Sequence, residues 1–188
     1  LAAAAGELGA ELFVLDDGWF GDRNNEGSSL GDWFVNRRKL PDGLNKLTSQ
    51  VNAGGMAFGL WVEPEMVSRD SDLYRVHPDW CLHVEGRDRT ESRRQLVLDL
   101  SRSEVRGEIE QMLTELLQSA DIRYIKWDMN RNITEAGSAA LSPERQREVS
   151  HRYMLGLYEL LDRLTKKFPQ VLFEGCAAGG GRFDPGML

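Results

Sequence analysis

The sequence has 188 residues, of which 41% are hydrophobic and 28% are charged, and this composition is ordinary for one soluble globular domain with a packed core. Its formal net charge of −7 argues against a nucleic-acid-binding surface, which normally carries clustered lysine and arginine. No apolar run approaches the roughly 18 residues of a membrane helix. Two cysteines, Cys81 and Cys176, are too few for a disulfide framework, so we expect a reduced, cytoplasmic protein with no membrane partner.

The N-terminal stretch LAAAAGELGA is rich in alanine, but it lacks a basic segment and contains Glu7, which argues against a signal peptide. It is typical of the end of a helix that stops at Gly9. The sequence begins without a methionine and with residues typical of a helix interior. We therefore expect the chain to be part of a longer protein.

Buried strands are predicted where apolar residues form short, nearly continuous runs, as they do in parallel strands that are covered on both faces. The runs are ELFVL (11–15), MAFGLW (56–61), YIKW (124–127) and VLFE (171–174). A further candidate for extended structure is QLVLDL (95–100).

Helices are predicted between these strands, where apolar residues recur with helical spacing. The predicted helices are 43–53, 105–120 and 143–168. Ser101 and Glu104 fit a capping box at the start of the second helix. Alternating strands and helices predict an α/β fold with a parallel sheet, and in that fold 18–42 and 62–94 are long irregular loops that follow strands.

Polar side chains follow each predicted strand at its carboxyl end. The ends are Asp16-Asp17, Trp61-Val62-Glu63, Lys126-Trp127-Asp128 and Glu174-Gly175-Cys176. Ligands bind at this end of the sheet in parallel α/β folds, so we expect these side chains to form one site. The alternative is that the carboxylates only cap the helices that follow, and this alternative applies most directly to Asp17.

Lys126 and Asp128 are two residues apart on one predicted strand, so their side chains should point to the same side. A lysine within about 4–6 Å lowers the pKa of a carboxyl group. Asp128 would then stay ionised and could act as a nucleophile, a metal ligand or a base. The alternative is a structural ion pair without a chemical role.

Other motifs do not support metal or cofactor chemistry. The segment DRNNEG (22–27) begins like a calcium loop, but its twelfth position is Trp33, where a glutamate is required. The glycine-rich GCAAGGGR (175–182) is not followed by the Lys-Ser/Thr of a phosphate loop, and the histidines lack zinc-ligand spacing. We therefore predict no cofactor and no metal.

Tryptophans at strand ends can stack against the apolar face of a sugar ring or pack in the core. Three occupy such positions: Trp19, Trp61 and Trp127. Trp127 should point opposite to Lys126 and Asp128, so we expect core packing for it. For Trp19 and Trp61, the position at a strand end favours the hypothesis that the ring stacks on a sugar.

Six segments, taken in order, resemble successive segments of the glycoside hydrolase family 36 α-galactosidases. They are LFVLDDGWFG, GLWVEPEMVS, HPDW, QLVLDLSR, YIKWDMNR and EGCAAGGGRFD. The resemblance implies a (β/α)8 barrel and retaining hydrolysis of terminal α-linked galactose from oligosaccharides such as melibiose and raffinose. Residues 1–188 would then form about half of a catalytic barrel, from a first helix through the strand ending near residue 174 and its following loop.

The resemblance also implies roles for single residues. Asp128 would be the nucleophile that forms a covalent galactosyl-aspartate intermediate. The residues that would bind galactose are Asp16, Asp17, Trp61, Arg93, Lys126, Cys176 and Gly179. Arg94, one position away, is the alternative to Arg93. The acid/base aspartate of the family follows the next barrel strand, beyond Leu188, so this chain would hold only one of the two catalytic carboxyl groups.

Two other functions stay open from the sequence. A related sugar transferase would form the same covalent intermediate and pass the sugar to another sugar in place of water. A non-catalytic fragment would bind galactose without turnover. In each case the partner is a small galactoside, and the parent enzyme can be a homo-oligomer.

Overall fold

The computed structural model describes residues 1–182 and 184–187, so Phe183 and Leu188 of the expected 1–188 domain lie outside the described residues. The α-helices of five or more residues are α1 (Ala2–Glu7), α2 (Gly43–Ala53), α3 (Asp72–Val76), α4 (Ser103–Gln118) and α5 (Val149–Lys167). The strands are β1 (Leu12–Leu15), β2 (Ala57–Val62), β3 (Met66–Val67), β4 (Leu96–Val97), β5 (Tyr124–Trp127) and β6 (Leu172–Gly175). The strands predicted from the apolar runs are therefore confirmed as β1, β2, β5 and β6.

Four strands form one parallel sheet in the order β1-β2-β5-β6. The central strand β2 is buried over nearly its whole length, which explains its continuous apolar run. The outer strands are more exposed, and Leu12 of β1 and Leu172 of β6 face solvent. The predicted α/β fold with a parallel sheet is confirmed.

The register of the sheet brings the strand ends into one row. Trp61 of β2 is opposite Lys126 of β5, and Lys126 is opposite Glu174 of β6. Leu15 ends β1 one position earlier in the register, so Asp16 enters the same row. Side chains in one row across a parallel sheet lie on the same face, and this geometry assembles the site described below.

The helices α4 and α5 pack against each other and cover the sheet with apolar stripes. Gly156 of α5 lies so close to Leu100 that an added Cβ would come within 2.0 Å of the Leu100 carbonyl oxygen. Only glycine fits this crossing. Helix α1 ends at Glu7, and Gly9 stops it as predicted, because Gly9 adopts a φ of +84° and the chain turns away. No helix among the described residues is both long and apolar enough to cross a membrane.

The predicted capping box at the start of α4 is wrong. The helix begins at Ser103, and the Ser101 hydroxyl donates instead to the Asp99 carboxylate, with an Oγ–Oδ1 distance of 2.5 Å. Asp99 is buried, so its need for hydrogen-bond donors exceeds the benefit of capping. Ser138 also donates to this carboxylate, which ties the loop before α5 to the core.

The segment 62–94, which we expected to be irregular, contains short regular elements. Helix α3 is capped by the Ser71 hydroxyl, which accepts from the Tyr74 backbone N–H at 3.1 Å. Strand β3 pairs antiparallel with β4 in a second, two-stranded sheet. Elements of two and five residues are too short to show a hydrophobic period, so the sequence pattern could not reveal them.

Candidate active site

Lys126 lies at the carboxyl end of the central strand β5 and reaches across β2 to the end of β1. Its Nζ is 3.0 Å from Oδ2 of Asp16. The ion pair raises the pKa of Lys126 above its ordinary value, chiefly through the hydrogen bond from Lys126 to Asp16. Both residues were predicted to bind a sugar, and the structure brings them together in one row with Trp61.

Asp128 follows β5 directly and is 6% exposed. Its Oδ1 accepts from the backbone N–H groups of Met129, at 2.9 Å, and Ala178, at 3.0 Å. Its Oδ2 accepts from the Trp61 indole at 3.1 Å and from the Asn130 side-chain amide at 2.7 Å. Each carboxylate oxygen therefore accepts two N–H donors, and the side chain is fixed in orientation.

These donors keep Asp128 ionised. Burial of its carboxyl favours the neutral form and raises the pKa, but the hydrogen bonds from Ala178, Trp61, Asn130 and the Cys176 thiol outweigh this effect and lower the pKa to about 2. The predicted ionisation of Asp128 agrees with the structure, but Lys126 is not its main cause. Lys126 makes its hydrogen bond with Asp16 and interacts with Asp128 only through its charge, and the N–H and S–H donors around Asp128 lower its pKa.

A left-handed turn after β6 supplies one of these donors. Residues 177–180 all have positive φ, between 42° and 97°. Two of them, Ala177 and Ala178, are not glycine, and such a conformation costs free energy of order 1–3 kcal/mol per residue. The turn aims the Ala178 N–H at Asp128, and the Gly179 N–H is directed at the Cys176 sulfur. Cys176 and Gly179, both predicted from the sequence, thus lie beside Asp128.

Asp17 is bound by Arg23, which the sequence did not predict. The guanidinium donates through Nε to Oδ1 at 2.9 Å and through Nη2 to Oδ2 at 2.8 Å. The Arg23 side chain is 4% exposed, whereas that of Asp17 is 38% exposed. Each Asp17 oxygen keeps a free lone pair toward solvent, so the carboxylate can still accept a hydroxyl group from a sugar. Arg23 therefore fixes Asp17 in position, and Asp17 does not cap a helix.

The expectation that Trp19 and Trp61 stack on a sugar ring is wrong for the described structure. Trp61 is 3% exposed, and its ring packs parallel to Phe20 and tilted against Trp33. Trp19 is 2% exposed and donates its indole N–H to the Trp61 carbonyl at 2.9 Å. Neighbouring aromatic rings cover the faces that a sugar would need. Trp61 reaches the site through its N–H edge.

The tryptophan of β5, Trp127, packs in the core as predicted and is 1% exposed. Its indole N–H donates to Glu65 at 2.9 Å. Glu65 is fully buried and also accepts from the Tyr153 hydroxyl at 2.5 Å and from Arg182. This polar cluster lies on the opposite side of β5 from Lys126 and attaches helix α5 to the sheet.

Arg93 is an exposed residue on the loop 90–95, where both Arg93 and Arg94 adopt positive φ. Burial raises the pKa of the Glu63 carboxyl beside Asp128, and the positive charge of Arg93 offsets a small part of this effect. The Arg94 side chain instead packs close to Gly27. Of the two arginines that the sequence offered, Arg93 is the one whose charge reaches the site.

Arg131, three residues after Asp128, holds this loop. It is 5% exposed, and its Nη1 donates to the carbonyl oxygens of Thr90, at 2.9 Å, and Gln95, at 2.7 Å. One guanidinium therefore binds both ends of the loop that carries Arg93. No sequence pattern predicts this contact, because it joins segments that are far apart along the chain.

In the part of the chain that the structure describes, neither cavities nor metal-ligand groups mark a second site. A cavity of about 550 Å³ is lined by His83, Ser138 and Gln146, away from Asp128. Among the described residues, His, Cys, Asp and Glu side chains do not gather in a group of three that could hold a metal ion. The chemistry of the row at the strand ends is that of carboxylates, a lysine and N–H donors, which suits the hydroxyl groups of a sugar.

Known proteins share this architecture over the whole chain. The sequence model of the Melibiase family matches residues 1–188. The chain is 64% identical over 188 residues to alpha-galactosidase AgaA of Geobacillus stearothermophilus, covering 100% of this chain and 26% of that protein. The crystal structure of GH36 alpha-galactosidase AgaB from the same organism aligns with a TM-score of 0.97 at 65% identity, with 100% of this chain and 26% of that chain covered.

A solved structure of an AgaA variant from Geobacillus stearothermophilus in complex with raffinose is equally similar. It aligns with a TM-score of 0.97 at 64% identity and covers 100% of this chain and 26% of that chain. The chain thus spans about a quarter of the length of the relatives that it matches.

Proposed function

The chain belongs to the Melibiase family, and from that premise we propose that it is part of the catalytic domain of a retaining α-galactosidase. The proposed substrates are oligosaccharides of the melibiose and raffinose type with a terminal α-linked galactose. Support comes from relatives named as alpha-galactosidases and from the relative solved with raffinose. The observation that carries the proposal is the geometry of Asp128, which is ionised just beyond a strand end and is bound by the indole of Trp61, next to the row of Asp16, Trp61 and Lys126.

We propose that the four-stranded sheet is about half of a (β/α)8 barrel and that residues 1–188 form one part of this domain. The parallel order β1-β2-β5-β6, with helices between the strands, is the arrangement that a barrel repeats around its axis. The exposed Leu12 and Leu172 mark the two outer strands, where further strands would pair. The site at the carboxyl ends then lies on the face where barrel enzymes bind their substrates.

In the proposed reaction, an oxygen of Asp128 attacks the anomeric carbon of galactose, and the bond from that carbon to the leaving sugar oxygen breaks. A second carboxyl group, outside this chain, gives its proton to the leaving oxygen. It then takes a proton from water, which attacks the same carbon and releases Asp128. The second group would have to lie about 5–5.5 Å from Asp128. Two inversions retain the α configuration.

The donors around Asp128 suit both steps of this reaction. A carboxyl group with a pKa of about 2 is ionised at every pH at which the enzyme would work, so the nucleophile needs no activating base. Its low basicity also makes it a good leaving group when water attacks in the second step. Asp16, Asp17 and Lys126 offer acceptors and a donor for the hydroxyl groups, and an epimer that leaves them unpaired would bind poorly.

Both cysteines of the chain are free, and this supports the reducing, cytoplasmic setting that we also propose. Cys176 touches Asp128, and oxidation of its thiol would remove one donor from the carboxylate.

A homo-oligomeric parent enzyme is part of the proposal as well, and its test is the mass of the full-length protein in solution.

The test of the proposed function uses the full-length enzyme in which this segment is completed by the remaining strands. It should release nitrophenol from p-nitrophenyl α-galactoside but not from the matched α-glucoside, and proton NMR should show α-galactose as the first product. Turnover of neither galactoside nor raffinose would contradict the assignment, and β-galactose as first product would contradict retention. The isolated 188-residue chain is the control and should be inactive.

A further inference from the structure

Glu63 is a buried acidic residue directly behind the nucleophile that the proposed reaction does not use. It follows β2 and is 1% exposed. Its Oε1 accepts from the backbone N–H of Asn130. The side-chain amide of Asn130 in turn donates to Oδ2 of Asp128 at 2.7 Å. Glu63 therefore holds the backbone of the residue whose side chain orients Asp128.

The second oxygen of Glu63 faces the side chain of Gln95, which is also 1% exposed. The Gln95 Nε2 lies 3.3 Å from Glu63 Oε2, a long contact, while the buried Gln95 Oε1 has no hydrogen-bond partner. The oxygen and nitrogen of an amide exchange places by a rotation of 180°. In the rotated orientation, Oε1 would face Glu63 and could accept a hydrogen bond from its protonated carboxyl, while Nε2 would take the place that Oε1 now occupies. A neutral Glu63 would then donate an O–H···O hydrogen bond to Gln95 in place of the long N–H contact.

The charges around Glu63 also favour its neutral form. The pKa of Glu63 is raised to about 7, chiefly by burial and also by the like charge of Asp128. The Asn130 backbone and side chain and the charge of Arg93 act in the opposite direction. Two buried carboxylates beside each other repel, and one of them then retains its proton. Asp128, with its four N–H donors, is the one that ionises.

We propose that Glu63 is a positioning residue that, as a neutral acid hydrogen-bonded to Gln95, holds the turn after Asp128 in the orientation needed for nucleophilic attack. This inference rests on the proposed function of Asp128. A neutral Glu63 fixes Asn130 without adding negative charge next to the nucleophile. Arg131 holds Gln95 in place, because the Arg131 guanidinium donates to the backbone carbonyl oxygen of Gln95 at 2.7 Å.

Two substitutions in the full-length enzyme distinguish the effect of the position of the Glu63 side chain from the effect of its charge. Glu63→Gln keeps the acceptor for the Asn130 N–H and supplies an N–H to the rotated Gln95 amide, so it reproduces the neutral acid. We expect its kcat to stay within about threefold of the wild type. Glu63→Asp is shorter by one methylene and withdraws from Asn130, and we expect kcat to fall at least about tenfold with KM nearly unchanged. Glu85→Gln, at an exposed glutamate, is the matched control.

Infrared difference spectra of the wild type against Glu63→Gln measure the protonation of Glu63 without using activity. The carbonyl band of a protonated carboxyl group should be present at about pH 5 and lost at about pH 9. Absence of the band at about pH 5, or a wild-type kcat for Glu63→Asp, would overturn the inference. A wild-type enzyme that turns over no galactoside would contradict the proposed function instead, and the infrared band would still decide whether Glu63 is a neutral acid.

Discussion

Lys126 of β5 forms its ion pair with Asp16 at the end of β1, across the intervening strand β2, and the Nζ–Oδ2 distance is 3.0 Å. The pair fixes two groups that can bind sugar hydroxyls at a defined separation. Lys126 therefore serves mainly to hold Asp16 and to face the sugar, because Asp128 is kept ionised chiefly by its hydrogen-bond donors and less by the charge of Lys126. This division of roles leads to a prediction for Lys126.

Lys126→Met should weaken substrate binding more than it changes the ionisation of the nucleophile. Asp16 loses its counterion and a sugar loses a donor, so we expect KM to rise at least about tenfold. The acidic limb of the kcat/KM profile should move by less than about half a pH unit. Lys46→Met is the control, because Lys46 pairs with Asp42 on an exposed helix surface. An acidic limb displaced upward by a full unit would contradict the assignment.

Trp61→Phe should raise the pKa of Asp128, whereas Lys126→Met should change it little. Phenylalanine keeps an aromatic ring in the cluster but removes the indole N–H that donates to Asp128. Loss of one hydrogen bond to a charged group raises the pKa of Asp128, and we expect the acidic limb to move upward by about one unit. Trp19→Phe removes a comparable buried N–H whose acceptor is a carbonyl, so it should lower stability without moving the limb.

Asp17→Asn should lower both affinity and stability. The substitution leaves the Arg23 guanidinium, 4% exposed, without its charged partner. Because Asp17 itself is 38% exposed, we expect the loss in free energy of unfolding to be only about 1–2 kcal/mol, together with an increase in KM. Asp22→Asn breaks a pair of two exposed side chains with Arg38 and should leave Tm within about one degree. Equal Tm values for the two variants would show that the ion pair between Arg23 and Asp17 adds no stability.

The main elements of the fold could be predicted because strands buried on both faces have nearly continuous apolar sequences and helices repeat apolar residues at helical spacing. The strands β1, β2, β5 and β6 and the helix α2 follow directly from apolar runs and helical spacing. The start of α4 could not be predicted from its own residues. Ser101 has the sequence of a cap, but the buried Asp99, brought close by the tertiary fold, takes its hydroxyl group.

The site was predictable where its residues follow strands and unpredictable where they lie on loops. Asp16, Lys126 and Asp128 are brought together by the sheet register, which the strand pattern implies. Arg23 and Arg131 meet their partners through loop conformations that no local pattern encodes. The sequence shows that tryptophans lie at the strand ends. It does not show that neighbouring aromatic rings cover the faces of Trp19 and Trp61.

The titration of Glu63 predicts a difference in stability between the wild type and Glu63→Gln. The pKa is about 7 in the folded protein and 4.5 ordinarily, so the contribution of Glu63 is full below about pH 4.5 and is lost as the pH rises through 7. Asp128 does not contribute in this window, because it is ionised in both states. The wild type should lose about 3 kcal/mol relative to the variant between about pH 4.5 and 8.

Urea unfolding of both proteins across this pH range measures the difference, and the titration of all other groups cancels in the comparison. Urea is suitable because it is uncharged and leaves electrostatic interactions unscreened. A constant difference from about pH 4.5 to 8 would mean that Glu63 is ionised throughout, and it would contradict the neutral acid.

The central claim is that Asp128 is the nucleophile, and azide rescue of Asp128→Ala in the full-length enzyme tests it most directly. Removing the carboxylate should abolish turnover, because the covalent step is lost. The nucleophile attacks from the face opposite the leaving group, so the cavity left by alanine opens onto the β face of the sugar. With an activated α-galactoside, azide should enter there and give β-galactosyl azide, identified by NMR. Rescue that gives α-galactosyl azide, or wild-type activity without azide, would contradict the claim.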